Sequence, residues 1–426
     1  MDKLLVFVAF IISLSFVHCA PYECISNSTD EFEDSYVGLL ISPVLSTETY
    51  REIEIYWNHA KYRVGDEIGL YTEKPRDDLE PIFIIHPDSQ SGIVKTGIQA
   101  DFIPTSNLTF TKQCLKYHVA WLRTGMVRKE NCLKTQPTWM SDMKNILGRR
   151  RMRDLFLPGT HDSSAYAKTN FILPETLVTK YVITQDEDVL GQLIYGARYL
   201  DIRVGYYATE AIQWWGSHGL VAVVPFQTVI DDVKTFLNNT DEIVIFDVQE
   251  FPVGFGQDFT IHRKLVAYLE EQFADYIIPK SFGWSSTLDT IWSSGKKLII
   301  GYDDHNVVGM FDSLWPSVTQ QWGNVQKVDD LYDYLNKIET NALSIISSSK
   351  VNPRSAMAEL TPKAWDIFLD RLGGLRKMAE DVDAKITMWY NTKWQHSANI
   401  VAVDFIKATG IVETALEWNE RRFNSC

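Results

Sequence analysis

Downstream of about residue 140 the chain settles into a repeating hydrophobic rhythm. Short apolar runs read as buried strands: Asp154 to Pro158, Arg198 to Arg203, Gln213 to Gly216, Ile243 to Val248, Lys297 to Tyr302, Val318 to Trp322, Ala356 to Leu360 and Ile400 to Phe405. Between several of them lie stretches with apolar residues three and four apart, the signature of a helix packed on one face: Phe226 to Leu237, Thr260 to Phe273, Val328 to Leu335 and Pro362 to Met378. Eight strands alternating with helices over roughly 280 residues predict an α/β fold, a TIM-like (β/α)8 barrel. Upstream the rhythm differs. Tyr36 to Val44, Glu52 to Trp57, Glu67 to Tyr71, Ile82 to Ile85 and Leu115 to Leu122 are short β-rich runs divided by Gly, Asp, Pro and Asn. That pattern predicts an antiparallel β-sandwich. The expected division is a sandwich over residues 21–140 and a barrel over 141–426.

Barrels of this kind carry their chemistry at the C-terminal ends of the strands. His161, Arg203, His218, Glu250, Asp303 and Asp404 all fall at or just past predicted strand ends. In Leu157-Pro158-Gly159-Thr160-His161-Asp162-Ser163 an apolar run breaks at Pro-Gly and delivers His161, Asp162 and Ser163 to the rim. A second histidine follows in Trp214-Trp215-Gly216-Ser217-His218-Gly219. Two histidines and an arginine on one rim suit phosphoryl transfer by general acid and base, because histidine titrates near neutrality and arginine presents paired donors to a phosphate.

Composition adds a compartment and removes some partners. Met1 to Ala20 has the form of a secretory signal peptide: Lys3, then an apolar run from Leu4 to Val17, too short to span a membrane. The expected location is therefore secreted or extracellular. Beyond Cys19, the cysteines Cys24, Cys114, Cys132 and Cys426 are even in number and fit two disulfides, with Cys114 to Cys132 as the local pair and Cys24 to Cys426 tying the ends. There is no CxxC and no tight Cys/His cluster in the sequence, so no metal or other cofactor is expected. Asn27, Asn107 and Asn238 head glycosylation triplets that fit the secretory route. A formal net charge of −14 argues against nucleic acid and against capture by an anionic membrane. Contact with a lipid surface is expected through apolar loops or the headgroup itself.

The run from Leu157 to Ser163, Leu200-Asp201-Ile202-Arg203, His218-Gly219 and Val401-Ala402-Val403-Asp404-Phe405 together resemble the X domain of phosphatidylinositol-specific phospholipase C. The likeness spans about residues 145 to 420. It extends to the small X-domain-containing proteins of animals and, beyond them, to the bacterial enzymes. The resemblance implies a distorted TIM barrel that cleaves the phosphodiester of phosphatidylinositol or of a glycosyl-phosphatidylinositol anchor at a membrane surface. Residue by residue, His161 matches the general base, His218 the general acid and Asp404 the carboxylate that orients the base. Arg203 matches the phosphate-binding arginine of the metal-independent bacterial branch, and Asp162 the aspartate that supports the arginine and the acid. Asp247-Val248-Gln249-Glu250 departs from the pattern: the bacterial enzymes carry a lysine near this point and the calcium enzymes a glutamate. Gln249 and Glu250, with Tyr302 at the end of its strand, are candidate substrate contacts. An alternative keeps the same barrel without turnover, as a protein that binds a lipid headgroup or a glycan.

Overall fold

The computed structural model describes residues 32, 35–45, 51–59, 61–167, 175–256, 259–345 and 352–424. The expected signal peptide, Cys24, Asn27 and Cys426 lie outside them. Seven antiparallel strands come first: β1 (Tyr36–Ile41), β2 (Glu52–Asn58), β3 (Asp66–Tyr71), β4 (Phe83–Ile85), β5 (Ser91–Gln99), β6 (Cys114–Arg123) and β7 (Met126–Lys134). They form two sheets, ordered β1-β2-β5 and β4-β3-β6-β7. Val37, Ile55, Ile68, Val119 and Trp121 point inward into a shared core. β5 and β7 were not expected from the pattern, because most of their positions are exposed or only half-buried and few are apolar.

Cys114 and Cys132 are joined across β6 and β7, with Cα atoms 5.6 Å apart. Contrary to the expectation of no Cys/His cluster, Cys114, His118 and Cys132 bring their ligand atoms within 4.8 Å of one another. Both sulfurs are already spent in the disulfide, which leaves one imidazole and no thiolate to hold an ion. Asn107 and Asn238 are exposed.

The second half begins with β8 (Leu157–Thr160) and β9 (Tyr199–Tyr206), then a hairpin of β10 (Trp214–His218) and β11 (Val221–Pro225). β12 (Val244–Val253), β13 (Leu298–Tyr302), β14 (Leu314–Pro316), β15 (Thr319–Trp322), β16 (Arg354–Met357) and β17 (Ile400–Val403) complete it. Eight strands follow the path β14-β13-β12-β9-β8-β17-β16-β15. Their pairs are parallel, and among the described residues no ladder joins β14 to β15, so the barrel is open at that seam. Two sequence expectations are corrected here. Gln213 to Gly216 is not a barrel strand: Trp214–His218 runs antiparallel to the far end of β9 and hangs over the rim. The missing barrel strand is Leu314–Pro316, whose three residues and proline give no periodic signal.

Helices cover the outside. Phe226–Asn239 and Thr260–Phe273 lay Val229, Ile230, Val233, Leu265 and Leu269 on β9, β12 and β13. Val328–Ile345 outruns its predicted end at Leu335. The single helix expected from Pro362 to Met378 is broken into Ala364–Phe368 and Leu375–Thr392. Asp370, Gly373 and Gly374 adopt φ of 47°, 73° and 99°, which no helix accommodates. The described residues contain no helix long and apolar enough to cross a membrane.

Candidate active site

Strand alternation decides what faces inward. Along β9, Leu200, Ile202 and Val204 join the outer core under the helices, so Tyr199, Asp201 and Arg203 point into the barrel. β17 does the same: Val401 and Val403 pack outward, Ile400 and Ala402 inward, and Asp404 follows at the strand end. β12 carries a register shift that sets Val248 opposite Ile202 but Glu250 opposite Arg203. The bulged residue is Gln249, and the shift re-aims Glu250 at the guanidinium. His161, Arg203, His218, Glu250, Glu359 and Asp404 converge on one cavity of about 280 Å³, with Trp322, Leu360, Ile367 and Leu375 supplying an apolar wall.

His161 Nδ1 lies 2.7 Å from Asp404 Oδ1. Burial favours the neutral ring, but Asp404 and then Glu359 outweigh it and raise its pKa to about 9. An opposing constraint sits at the other nitrogen, where Arg203 Nη2 is 2.8 Å from His161 Nε2. A guanidinium only donates, so this bond needs the Nε2 lone pair. The contact therefore assigns the neutral tautomer, with Nδ1–H donating to Asp404. Protonation at Nε2 requires Arg203 to turn away. The backbone is strained on both sides of the pair: Asp162 has φ 36° and Phe405 φ 43°, left-handed values that side chains other than glycine rarely adopt.

His218 is held differently. Its Nδ1 lies 2.7 Å from the Val182 carbonyl, which can only accept, so Nδ1 carries the proton. Burial pushes its pKa down to about 4, with Arg203 and His161 adding to the push against the Val182 carbonyl. In the free site this ring is neutral, with the lone pair on Nε2.

Arg203 sits where carboxylates converge: Asp201 at 3.0 Å, Glu250 at 3.3 Å and Asp162 at 3.7 Å. Burial alone would raise Asp201, but Arg203 and His161 overcome it and hold it below the usual carboxylate range. Asp162 is raised to about 7 by burial, against Arg203 and with Asp201. The Asp162 backbone N–H also donates to Asp201 Oδ2 at 3.0 Å, which locks the histidine turn to β9. Glu250 is the exposed partner of Arg203, its side chain 48% accessible.

Two expected contacts, Gln249 and Tyr302, and the strand-end residue Asp303 sit elsewhere. Gln249 spends its amide on Asp247 and, at 2.9 Å, on the Val318 carbonyl. Tyr302 is buried, its hydroxyl 2.6 Å from His262 Nδ1, and stacks near Phe251. Asp303 accepts from the Ser317 hydroxyl at 2.9 Å. None of the three lines the cavity. The residue missed as a candidate is Glu359. It is 4% exposed, lines the cavity, and neither carboxylate oxygen has a hydrogen-bond partner among the described residues. Burial raises its pKa to about 7, against His161 and with Asp404. Its sequence signal was a glutamate inside the apolar run Ala356 to Leu360, where a buried charge needs a reason.

No family model matches the chain. PI-PLC X domain-containing protein 1 of Homo sapiens is 26% identical over 323 residues, covering 68% of this chain and 94% of its own length. PI-PLC X domain-containing protein 3 of Homo sapiens is 23% identical, covering 66% and 92%. The chain is homologous to the PI-PLC X domain-containing proteins. A solved mutant of phosphatidylinositol-specific phospholipase C from Staphylococcus aureus superposes with a TM-score of 0.52 at 17% identity, covering 67% of this chain and 96% of that one. The PI-PLC-like part of the chain thus has the barrel fold of that bacterial protein.

Proposed function

We propose that this cavity cleaves the phosphodiester of an inositol phospholipid, free or within a glycosyl-phosphatidylinositol anchor. The carrying observation is the convergence of His161, oriented by Asp404, with His218 and Arg203 on one cavity. An incoming phosphate displaces the half-exposed Glu250 carboxylate from Arg203 and draws the guanidinium off His161 Nε2. The freed lone pair then takes the proton of the inositol hydroxyl beside the phosphate. That oxygen bonds to phosphorus, and the bond from phosphorus to the diacylglycerol oxygen breaks. His218, protonated at Nε2 once the phosphate anion lies beside it, gives its proton to the departing oxygen. The products are diacylglycerol and inositol 1,2-cyclic phosphate, which water can open with the histidine roles reversed. Asp404 stabilises the His161 cation, and Arg203 the charge on the phosphate oxygens. A fixed guanidinium surrounded by three carboxylates supplies the positive charge that other phosphodiesterases take from a metal ion.

The protein is proposed to act outside the cell. The Cys114–Cys132 disulfide and the exposure of Asn107 and Asn238 support that setting and their glycosylation. It would rest on the membrane by its rim: Trp365 and Phe368, stacked 5.7 Å apart, are 64% and 70% exposed on the helix that carries the cavity residue Ile367.

One feature favours the second reading, a headgroup-binding protein: the ring proton of neutral His218 is held at Nδ1 by the Val182 carbonyl, so Nε2 has none to give in the free site. Release of water-soluble inositol phosphate from phosphatidylinositol vesicles separates the two. Under the catalytic reading, His161→Ala and His218→Ala each cut turnover by about 10²–10⁴-fold while vesicle binding persists. Unchanged turnover in both variants, or binding without product in the wild type, would reject it.

A further inference from the structure

The segment from Val182 to Glu187 touches both histidines. Its first carbonyl, Val182 O, holds His218 Nδ1 at 2.7 Å. Gln185, fully buried, spends Nε2 on the His161 carbonyl at 3.0 Å and on the Val403 carbonyl at 2.8 Å. Its Oε1 accepts from Ile406 N at 3.2 Å, and the Thr184 carbonyl accepts from Phe405 N at 2.8 Å. One short stretch thus fixes the backbone on both sides of the His161–Asp404 pair, where Asp162 and Phe405 are left-handed.

The next two residues face the β-sandwich. Arg51, at the foot of β2, reaches Asp186 at 2.8 Å and Glu187 at 3.4 Å, all three side chains buried. Arg376 grips Asp186 at 2.6 Å from the barrel side, stacks 4.8 Å from the Phe405 ring and donates to the Pro43 carbonyl at 2.9 Å. Lys407, three residues past Asp404, pairs with Glu187. Buried charges in such a knot hold their geometry only while every partner stays.

We propose that Arg51, in the sandwich outside the stretch that carries the phospholipase resemblance, is a positioning residue for the catalytic pair, acting through Asp186, Glu187 and Gln185. The sandwich is then part of the active site's scaffold. The kinetic half of this claim rests on the proposed phosphodiesterase activity, and the geometric half does not.

The test uses the full chain carrying Arg51→Met, Arg51→Lys and Lys95→Met. Lys95 contacts Glu380 in the same interface, away from the segment, and reports mere loosening of the two halves. Two readouts are followed: the downfield imidazole N–H proton of His161 with its titration by NMR, and kcat and KM on phosphatidylinositol vesicles. Arg51→Met is expected to shift or broaden the His161 signal and to lower kcat by about 10- to 100-fold with little change in KM. Arg51→Lys should restore part of both, and Lys95→Met should disturb neither. If Arg51→Met does not fold, Glu187→Gln is read in the same way. A folded Arg51→Met or Glu187→Gln with a wild-type His161 titration and kcat overturns the proposal, as does an equal effect from Lys95→Met. If the wild type cleaves nothing, the activity reading fails alone, and the NMR signals still decide the role of Arg51.

Discussion

The two histidines differ in what their Nδ1 protons meet. His161 points at a carboxylate, Asp404, which draws its pKa up to about 9, whereas His218 points at a neutral carbonyl and is pushed down to about 4 by burial and by the Arg203 guanidinium. An anion bound between them must favour the imidazolium form of His218. By NMR, His218 in the free protein should stay neutral down to about pH 4. Saturation with a non-cleavable inositol phosphonate should raise that value by about 2 units. No movement on ligand binding would show that the phosphate does not lie beside this ring. At this scale much was legible in the sequence. His161, Arg203 and Asp404 each follow an apolar run or stand within one, so strand periodicity sends them to the same rim, whereas His218 reaches it on the hairpin β10–β11, which the pattern took for a barrel strand. Glu359 was hidden because it sits inside such a run, and Tyr302 misled because alternation turned its side chain outward to His262.

Between elements, the sandwich meets the barrel through buried charge as well as apolar surface. Glu54 on β2 and Glu380 on the helix Leu375–Thr392 crowd each other beside Lys95, with Ser42 donating to Glu380 at 2.7 Å. Burial and then Glu380 raise the Glu54 pKa to about 8, against the attraction of Lys95. The folded state therefore holds a proton that the unfolded chain releases at an ordinary carboxylate pH. This contribution to stability is full at low pH and is lost as pH rises towards about 8. Glu54→Gln should leave the melting temperature unchanged at about pH 5 and raise it by about 2–4 °C at about pH 8. An equal difference at both pH values would contradict that reading. The barrel's alternating strands and two of its amphipathic helices were readable from periodicity. β14 was too short to register, and the hairpin β10–β11 imitates a barrel strand because β10 is equally apolar. The break after Phe368 was written in Asp370, Gly373 and Gly374, yet the apolar spacing on either side suggested one continuous helix.

On the scale of the molecule, a chain of net charge −14 gains nothing from an anionic surface, so the proposed attachment to a membrane would fall to apolar side chains. Trp322, Trp365 and Phe368 are exposed beside the cavity, and Leu220 stands next to Gly219 in the turn after His218. Replacing Trp365 and Phe368 together by serine should weaken vesicle binding by about tenfold or more. Hydrolysis of a soluble, short-chain substrate should be unaffected. Loss of activity on the soluble substrate would instead place these rings in the cavity's own architecture. The sequence outlined a β-rich half before an α/β half; it could not show that the two lock together around Asp186 and Glu187, because those contacts join residues more than a hundred positions apart. The most direct test of the account is phosphorus-31 NMR of phosphatidylinositol vesicles incubated with the protein in excess chelator, beside a His161→Ala control. A cyclic inositol phosphate resonance that appears with the wild type and is absent with the variant is the predicted result. No cyclic product, with or without restored calcium, would contradict it.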